Sequence, residues 1–462
     1  MRKTTIEEII AAAGGSLIQR APGPEAQAIT GVKHDSREVE EGDMFVAVVG
    51  ENQDGHRYIP QVAARGCRTV LVSHRESWME ELAGMGMSIN AILVEDTVAA
   101  AGRLAKWYLE SLNIPRVAVT GSVGKTSTRD MIYYVLSEKY SCGRNLKNYN
   151  NNIGLPLSIF RFDSSTQTAV LEMGMDAFGE IEYLSDIVQP RIGVITNIGV
   201  AHMEKLGSRE GIFRAKMEIT KNIAGSRDGG TLIYAGDNEF LTRERTAGDY
   251  CQLEVGSGPE ADFKISDVDD FGIEGIEFNV EYQGESAKAR LPVPGVHNAT
   301  NAGLALAVGK CLGVSLQEGI AGLAKAELTG SRLKKIQGKS ITIIDDTYNA
   351  NPDSMKSAID VLARSRAARR IAILGDMFEL GEKTAAQHRE VGEHAALMNI
   401  DEVICIGALA GEIAAGASGI HFPDKESFIK VIDEYIAPGD LVLVKASRGM
   451  KMEEIVSELE EK

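Results

Sequence analysis

Cysteine is sparse in this chain and cationic residues are outnumbered, and each shortage removes a class of protein. The five cysteines among 462 residues, Cys67, Cys142, Cys251, Cys311 and Cys405, are scattered and form no CxxC pair. That distribution argues against a disulfide framework or a cysteine zinc site and fits a reduced, cytoplasmic protein. Lysine and arginine number 49 against 66 aspartates and glutamates, a formal net charge of −17. Such a balance speaks against a broad nucleic-acid or membrane surface. A phosphate-rich small ligand stays compatible, because it needs only a local cluster of donors. No apolar run approaches the roughly 20 residues of a membrane span. The opening Met1-Arg2-Lys3-Thr4-Thr5-Ile6-Glu7-Glu8 carries acids and lacks a long apolar core, unlike a signal peptide. Repeat arrays and low-complexity tracts are missing too.

What is present is an ordinary enzyme's balance, 44% hydrophobic and 25% charged. The length calls for more than one core. Three regions separate by pattern. Residues 1–97 hold short strands near 44–49, 69–72 and 91–94 with a helix at 59–64, a small α/β unit. Its polar loops Asp35-Ser36-Arg37 and 50–56, which includes Asp54 and His56, either face a ligand or are solvated turns. Residues 98–327 open in a helix at 97–112 and continue with strands at 168–171 and 192–196, each followed by a helical stretch. This alternation predicts a parallel sheet with covering helices. Between 263 and 293 the pattern turns to alternating strands around Gln283-Gly284-Glu285, an antiparallel hairpin, and a helix at 299–312 closes the region. In 328–462, strands at 341–344, 371–374, 403–406 and 441–444 alternate with helices near 354–363, 385–396, 425–436 and 450–459. That is a doubly wound, Rossmann-like domain. The expected fold class is α/β throughout.

The most informative stretch is Val117-Ala118-Val119-Thr120-Gly121-Ser122-Val123-Gly124-Lys125-Thr126-Ser127. It reads as a buried strand, a glycine turn and the start of a helix whose apolar face carries Ile132, Val135 and Leu136. Such a turn points backbone N–H groups at a polyphosphate, and the helix N-terminus adds partial positive charge. Lys125 would reach the outer phosphates, and the Thr126 hydroxyl would meet Mg2+. The full Walker pattern asks for glycine where this chain has Val119.

Ligands of open α/β sheets bind beyond the carboxyl ends of the strands. Glu172 ends one strand; Asn197 ends another, with His202 shortly after it. Thr126, Glu172 and His202 form a candidate ligand set for one or two Mg2+ ions. Lys216 borders the stripe Ile212, Ala215 and Ile219. Periodicity alone points to a snorkelling surface lysine, whereas desolvation there would lower its pKa and free a nucleophilic amine. Asp345-Asp346 imitates a Walker B strand but lies far from the phosphate loop. Asn298 and Asn301 open a helix, as caps or as partners of a base. Asp376 and Lys445-Ala446-Ser447-Arg448 follow strands of the last region, as a zwitterionic or carboxylate ligand would require.

Taken together, Thr120–Thr126, Glu172-Met173-Gly174, Asn197-Ile198-Gly199 with His202, and Ala215-Lys216-Met217-Glu218 resemble the Mur ligases, ATP-dependent amide-forming enzymes of peptidoglycan precursor synthesis. Residues 345–355 and 375–381 are similar to the branch that adds D-alanyl-D-alanine to UDP-N-acetylmuramoyl-tripeptide. The Asp-Asn-Pro-Arg motif of the sister branch that adds the third residue is absent; Gly375-Asp376-Met377 stands there instead. The resemblance implies a three-domain chain: a UDP-sugar-binding domain at 1–97, an ATP-binding domain at 98–327 and a dipeptide-binding domain at 328–462. It implies that Ser36, Arg37, Asp54 and His56 hold the UDP-sugar, with the stretch Asn148 to Asn152, Asn151 and Asn152 included, along its peptide arm. Gly121, Ser122, Val123, Gly124, Lys125, Thr126 and Ser127 would hold ATP, with Asn298 and Asn301 near adenine, Arg332 near phosphate and Asp346 near ribose. Thr126, Glu172 and His202 would bind Mg2+, Lys216 would be carbamylated and join the metal site, and Lys125, His202 and Lys216 would serve catalysis. Tyr348, Asn349, Asn351, Asp376, Lys445 and Ser447 would receive the dipeptide. The expected protein is a cytoplasmic monomer with no nucleic-acid partner. Three rivals remain at this level: another ligase of the family, such as folylpolyglutamate synthase or the diaminopimelate- or lysine-adding sister; a P-loop ATPase that hydrolyses without an acceptor; or a catalytically dead nucleotide-binding relative, against which Lys125, Glu172, His202 and Lys216 together speak.

Overall fold

The strand before the phosphate loop, Arg116–Thr120, is apolar on both faces, as a strand covered by helices on both sides must be. The computed structural model describes residues 1–23, 28–50, 53–75, 78–146, 148–200, 203–378 and 380–462. It divides into two compact units, one of 1–262 with 304–315, the other of 263–303 with 316–462.

In the first unit, Arg116–Thr120 lies between Thr168–Glu172 and Ile192–Ile195, parallel to both. Cys142–Arg144 extends the sheet on one side, and Thr231–Ala235 with Cys251–Gly256 on the other, again all parallel. A chain that leaves the central strand upward therefore meets the ends of both neighbours. The helix Thr97–Leu112 covers this sheet with Ala101, Leu104 and Tyr108 buried and is capped by Asp96, whose carboxylate accepts from the Val98 and Ala99 N–H groups. A smaller sheet orders Asn90–Leu93, Thr69–Val72, Asp43–Val46 and Gly31–Lys33 in parallel, with Ser16–Gln19 antiparallel at its edge. The expected helices at 59–64 and 97–112 form as Ile59–Ala64 and Thr97–Leu112.

The second unit carries two sheet systems. Phe263–Asp270, Ile276–Tyr282 and Glu285–Leu291 make an antiparallel meander whose last turn is Gln283-Gly284, both with positive φ. The other sheet runs Lys334–Gln337, Thr342–Asp346, Asp440–Lys445, Arg369–Gly375, Glu402–Ile406 and Ile420–Phe422, parallel except for its first strand. It is buried on both faces by apolar clusters. The single helix expected at 425–436 is instead two, Lys425–Ile429 and Ile432–Tyr435. Val431 leaves helical geometry between them at φ −122° and ψ 11°, in a run rich in poorly helix-forming β-branched residues. Lys334–Gln337 and Ile420–Phe422 were not expected from pattern; both are short edge strands with little apolar signal.

Ser365 ties the meander to the larger sheet of this unit. Its hydroxyl accepts from the Ile273 N–H (2.8 Å) and donates to the Val361 carbonyl (2.7 Å), fully enclosed. Ser365→Ala leaves a buried N–H without its partner, so urea unfolding is expected to show a loss of about 1–3 kcal/mol. A parent-like midpoint would mean that water replaces the hydroxyl.

Candidate active site

Four features of the first unit make up the candidate site. The first is the phosphate loop. Gly121 adopts φ +153°, and a Cβ there would overlap the Thr196 hydroxyl. Gly124 at φ +81° turns the chain into the helix Lys125–Ser137. That helix end has no side-chain cap, so its N-terminal amides stay suited to an anion. Asn197 braces the loop from the neighbouring strand, its side-chain oxygen accepting from the Ser122 and Val123 N–H groups at 3.1 and 2.9 Å. The Thr196 hydroxyl donates to the Val123 carbonyl. Lys125 folds back over the turn, its amine 2.8 Å from the Gly121 carbonyl and 3.2 Å from that of Ser122.

The second is Glu172, buried at the end of the adjacent strand. The Thr126 hydroxyl donates to its Oε2 at 2.9 Å, so the two side chains that could share a divalent cation already touch. Asn150 Nδ2 reaches Oε1 at 2.8 Å and Arg129 Nη1 reaches Oε2 at 3.2 Å.

The third is Lys216, on the helix Arg209–Met217 beside buried Ile212 and Ala215. It is 1% exposed, and its amine has no hydrogen-bond partner among the described residues. The snorkelling alternative is thereby excluded. Burial first, and then the nearby charge of Lys125, push this amine well below the ordinary lysine range. Glu218 does not neutralise it by contact, because that carboxylate accepts from the N–H groups of Gly179 and Glu182. A buried amine beside a second amine and a phosphate loop is a place that wants negative charge. The donor set of Thr126 and Glu172, with that orphaned amine, fits a metal–polyphosphate group. His202 lies outside the described residues.

The fourth is a cleft in which Asn152 meets His34, Val48 and Val98. The loops of the smaller sheet stand beside it in sequence. Arg37 pairs with Asp35 at 2.6 Å, which pulls the Asp35 carboxyl down to about 2. Ser36 is buried, and Arg65 donates to the Ser36 and Arg37 carbonyls, which stiffens the turn. His56 is 2% exposed: its Nδ1 meets Asp54 at 2.6 Å and its Nε2 accepts from the Ser73 N–H. It stacks on His74, whose Nε2 also meets Asp54. This trio has metal-capable donor atoms within 4.8 Å of one another, but those atoms already serve a hydrogen-bonded brace. Asn151 accepts from the Gly154 N–H at 2.8 Å and starts the helix Gly154–Ile159. A broad groove of about 1180 Å³ lies at the opposite, amino end of this sheet, lined by Lys3, Asp43, Arg68 and Thr69. It has no phosphate loop and no strand carboxyl end, so volume alone misplaces the chemistry.

In the second unit, Asp346, Asp376, Lys445 and Ser447 gather at the carboxyl ends of adjoining strands. Lys445 is buried and pairs with Asp346 at 2.7 Å while donating to the Asn349 carbonyl at 2.7 Å. Burial raises the Asp346 carboxyl despite that pairing. Asp376 accepts from the Leu409 and Ala410 N–H groups, and the Ser447 hydroxyl from that of Phe378. Both charges therefore already have partners within the chain and frame the crevice. Asn351 caps the helix Pro352–Arg364. Arg332 lies 3.7 Å over the Tyr348 ring. Asn298 donates to the Pro294 carbonyl, and Asn301 to Asn298.

Family models match over 28–108 ("Mur ligase family, catalytic domain"), 119–309 ("Mur ligase middle domain") and 331–448 ("Mur ligase, glutamate ligase domain"). The chain is 39% identical over 469 residues, covering 99% of both, to the UDP-N-acetylmuramoyl-tripeptide–D-alanyl-D-alanine ligase of Bacillus subtilis. The chain belongs to the Mur ligase family. The enzyme of the same name from Escherichia coli is 34% identical over 93% of both chains. Among solved structures, MurF from Acinetobacter baumannii superposes over 100% of both chains with a TM-score of 0.88 and 31% identity. MurF ligase from Thermotoga maritima in complex with ADP gives 0.80 at 29% identity, over 93% of this chain and 97% of that one.

This Mur ligase has the three-domain α/β fold of its relatives. Among the described residues, no helix is long and apolar enough to cross a membrane. Arg129 and Asn145 are absent from the sequence reading, and Asn150, expected along the peptide arm, is found on Glu172 instead. Asn145 brackets Glu172, its Oδ1 accepting from the Glu172 N–H and its Nδ2 donating to the carbonyl. No spacing rule points to them, because they reach Glu172 only through the fold.

The cost of burying Lys216 is measurable. Between its depressed native pKa and the ordinary lysine value, the unfolded chain binds more protons, so this residue makes stability rise with pH across that window. Lys216→Met is expected to stabilise the ligand-free protein in carbon dioxide-free buffer by roughly 1–3 kcal/mol near neutral pH. The advantage should shrink as pH climbs toward the lysine range in urea titrations. An advantage that grows with pH would contradict the burial argument.

Proposed function

We propose that this Mur ligase joins D-alanyl-D-alanine to UDP-N-acetylmuramoyl-tripeptide, with ATP converted to ADP and phosphate. The observation that carries the reading is the buried amine of Lys216, without a hydrogen-bond partner among the described residues and close enough to Lys125 to feel its charge, together with a phosphate loop whose uncapped helix start pairs Thr126 with Glu172. The full-length likeness to ligases of that name supports the choice of acceptor.

A carboxylate resists attack because an amine cannot expel its oxygen. Transfer of the γ-phosphoryl group to the tripeptide carboxylate gives an acyl phosphate with a good leaving group. The neutral amine of the dipeptide then adds to the acyl carbon, a proton leaves the nitrogen, and phosphate departs with the C–O bond electrons. Lys125, released from the loop carbonyls, would follow the charge on the transferring phosphoryl oxygens. The amides of 124–127 would hold the polyphosphate. Thr126 and Glu172 would hold one Mg2+ and His202 a second, supplying charge that offsets the phosphates.

Lys216 is assigned as a carbamate. Its neutral amine adds to the carbon of CO2 and loses a proton, turning a costly buried cation into an anion suited to the metal side of the site. Ser36, Arg37, Asp54 and His56 belong to the UDP-sugar subsite of 1–97, His56 acting from behind Asp54. Asn151 and Asn152 belong to the peptide arm. In 98–327 and 328–462, Asn298, Asn301, Arg332 and Asp346 serve the nucleotide, and Tyr348, Asn349, Asn351, Asp376, Lys445 and Ser447 the dipeptide. The protein acts as a cytoplasmic monomer.

ADP release and product mass decide the assignment. Both substrates with ATP and Mg2+ are expected to give the pentapeptide; omitting the dipeptide should drop ADP release to background. Strong turnover without an acceptor would favour the ATPase rival, and an amide formed only with glutamate or diaminopimelate a sister ligase. Lys125→Ala is expected to lose about 100-fold or more in kcat. Lys216→Ala should be inactive and regain turnover with short carboxylic acids; normal turnover in that variant removes the carbamate.

A further inference from the structure

Arg129 is the largest fully buried side chain among the described residues, and the reaction scheme gives it no task. It lies one helical turn beyond Lys125, on the side of the helix turned from the phosphate loop to the sheet. Burying a guanidinium is costly unless its charge and donors are met. Here they are met in a specific order. Asp130, also with no exposure, takes Arg129 Nε at 3.0 Å and Nη2 at 2.6 Å on one oxygen. Arg144 Nη1 joins the same oxygen at 2.8 Å, and its guanidinium packs 4.1 Å from the centre of the Tyr133 ring. The remaining arm, Arg129 Nη1, reaches Glu172 Oε2. Two cations and two carboxylates are thus linked in a chain that reaches Glu172.

We propose that Arg129 is a positioning residue, its guanidinium clamped from behind by Asp130 so that it fixes the angle at which Glu172 presents its carboxylate to the metal of the phosphate loop. A guanidinium suits this task because its arms are coplanar and rigid, so an anchor on one edge is transmitted to the other. An ammonium supplies the charge without the plane. Asn150 fixes the other oxygen of Glu172, which leaves the Thr126 hydroxyl as the contact that a cation can exchange. The inference rests on Glu172 being a metal ligand, as the proposed function has it.

Mn2+ binding to the full-length protein with ADP, followed by the electron paramagnetic resonance of free Mn2+, tests it without turnover. Arg129→Met is expected to weaken Mn2+ ten-fold or more while metal-free ADP binding stays within two-fold of the parent, with Arg129→Lys in between. A folded Arg129→Met protein whose Mn2+ affinity is within two-fold of the parent overturns the proposal. So does an equal loss of metal-free ADP binding, which would show a distorted loop instead. If Arg129→Met does not fold, Asp130→Asn carries the test: it keeps the guanidinium at Glu172 but weakens its anchor, and at least three-fold weaker Mn2+ is expected, parent-like affinity overturning the idea. Glu172→Gln separates the two readings. A loss there with parent-like Arg129→Met sinks the positioning role alone, whereas parent-like affinity in both variants sinks the metal site beneath it.

Discussion

Everything at this site depends on keeping charge buried at the end of one parallel strand pair. Glu172 ends its strand in a dry environment, where an unpaired carboxylate would be costly. Its partners come from separate stretches of chain: Thr126 and Arg129 from the helix after the loop, Asn145 and Asn150 from the segment before its own strand. Each contact needs the others, because the carboxylate stays in place only while all its lone pairs are answered. Lys216 shows the reverse imbalance, a buried amine with no hydrogen-bond partner among the described residues, for which carrying a charge is costly. The protein thus stores an electrostatic demand that anionic substrates satisfy.

The remaining site residues show how a fold spends polar groups before any ligand arrives. Asp376 and Lys445 lie at strand ends where a zwitterion would be welcome, yet each is held by its own chain. Their contribution is a crevice of fixed shape, lined by dipoles that do not need to reorganise. His56 behaves likewise, both nitrogens committed, so that it orders Asp54 rather than facing solvent. Preorganisation of this kind costs stability locally and is supported by the apolar clusters beneath it.

Much of this was legible beforehand. Alternation of short apolar strands with helices of 3.6 period located both doubly wound sheets, and Gln283-Gly284 located the meander turn. The loop 120–126 was readable because its glycines answer to backbone geometry, a constraint that acts within a few residues. Lys216 is the instructive case in the other direction. Its helical position borders an apolar stripe, which by periodicity alone points to solvent. Packing on both sides of that helix removed the solvent.

The amino-acid order by itself determined where strands end and where an anion could be gripped, since turns, caps and periodicity are local properties of the chain. Only the tertiary structure decided which charges meet: that Arg129 backs Glu172, that Lys216 lies near Lys125, and that Lys445 is spent on Asp346. Those pairings span tens of residues and depend on strand order and register. Electrostatic energy depends on distance and burial, and neither is written in the sequence until the sheet has closed over it.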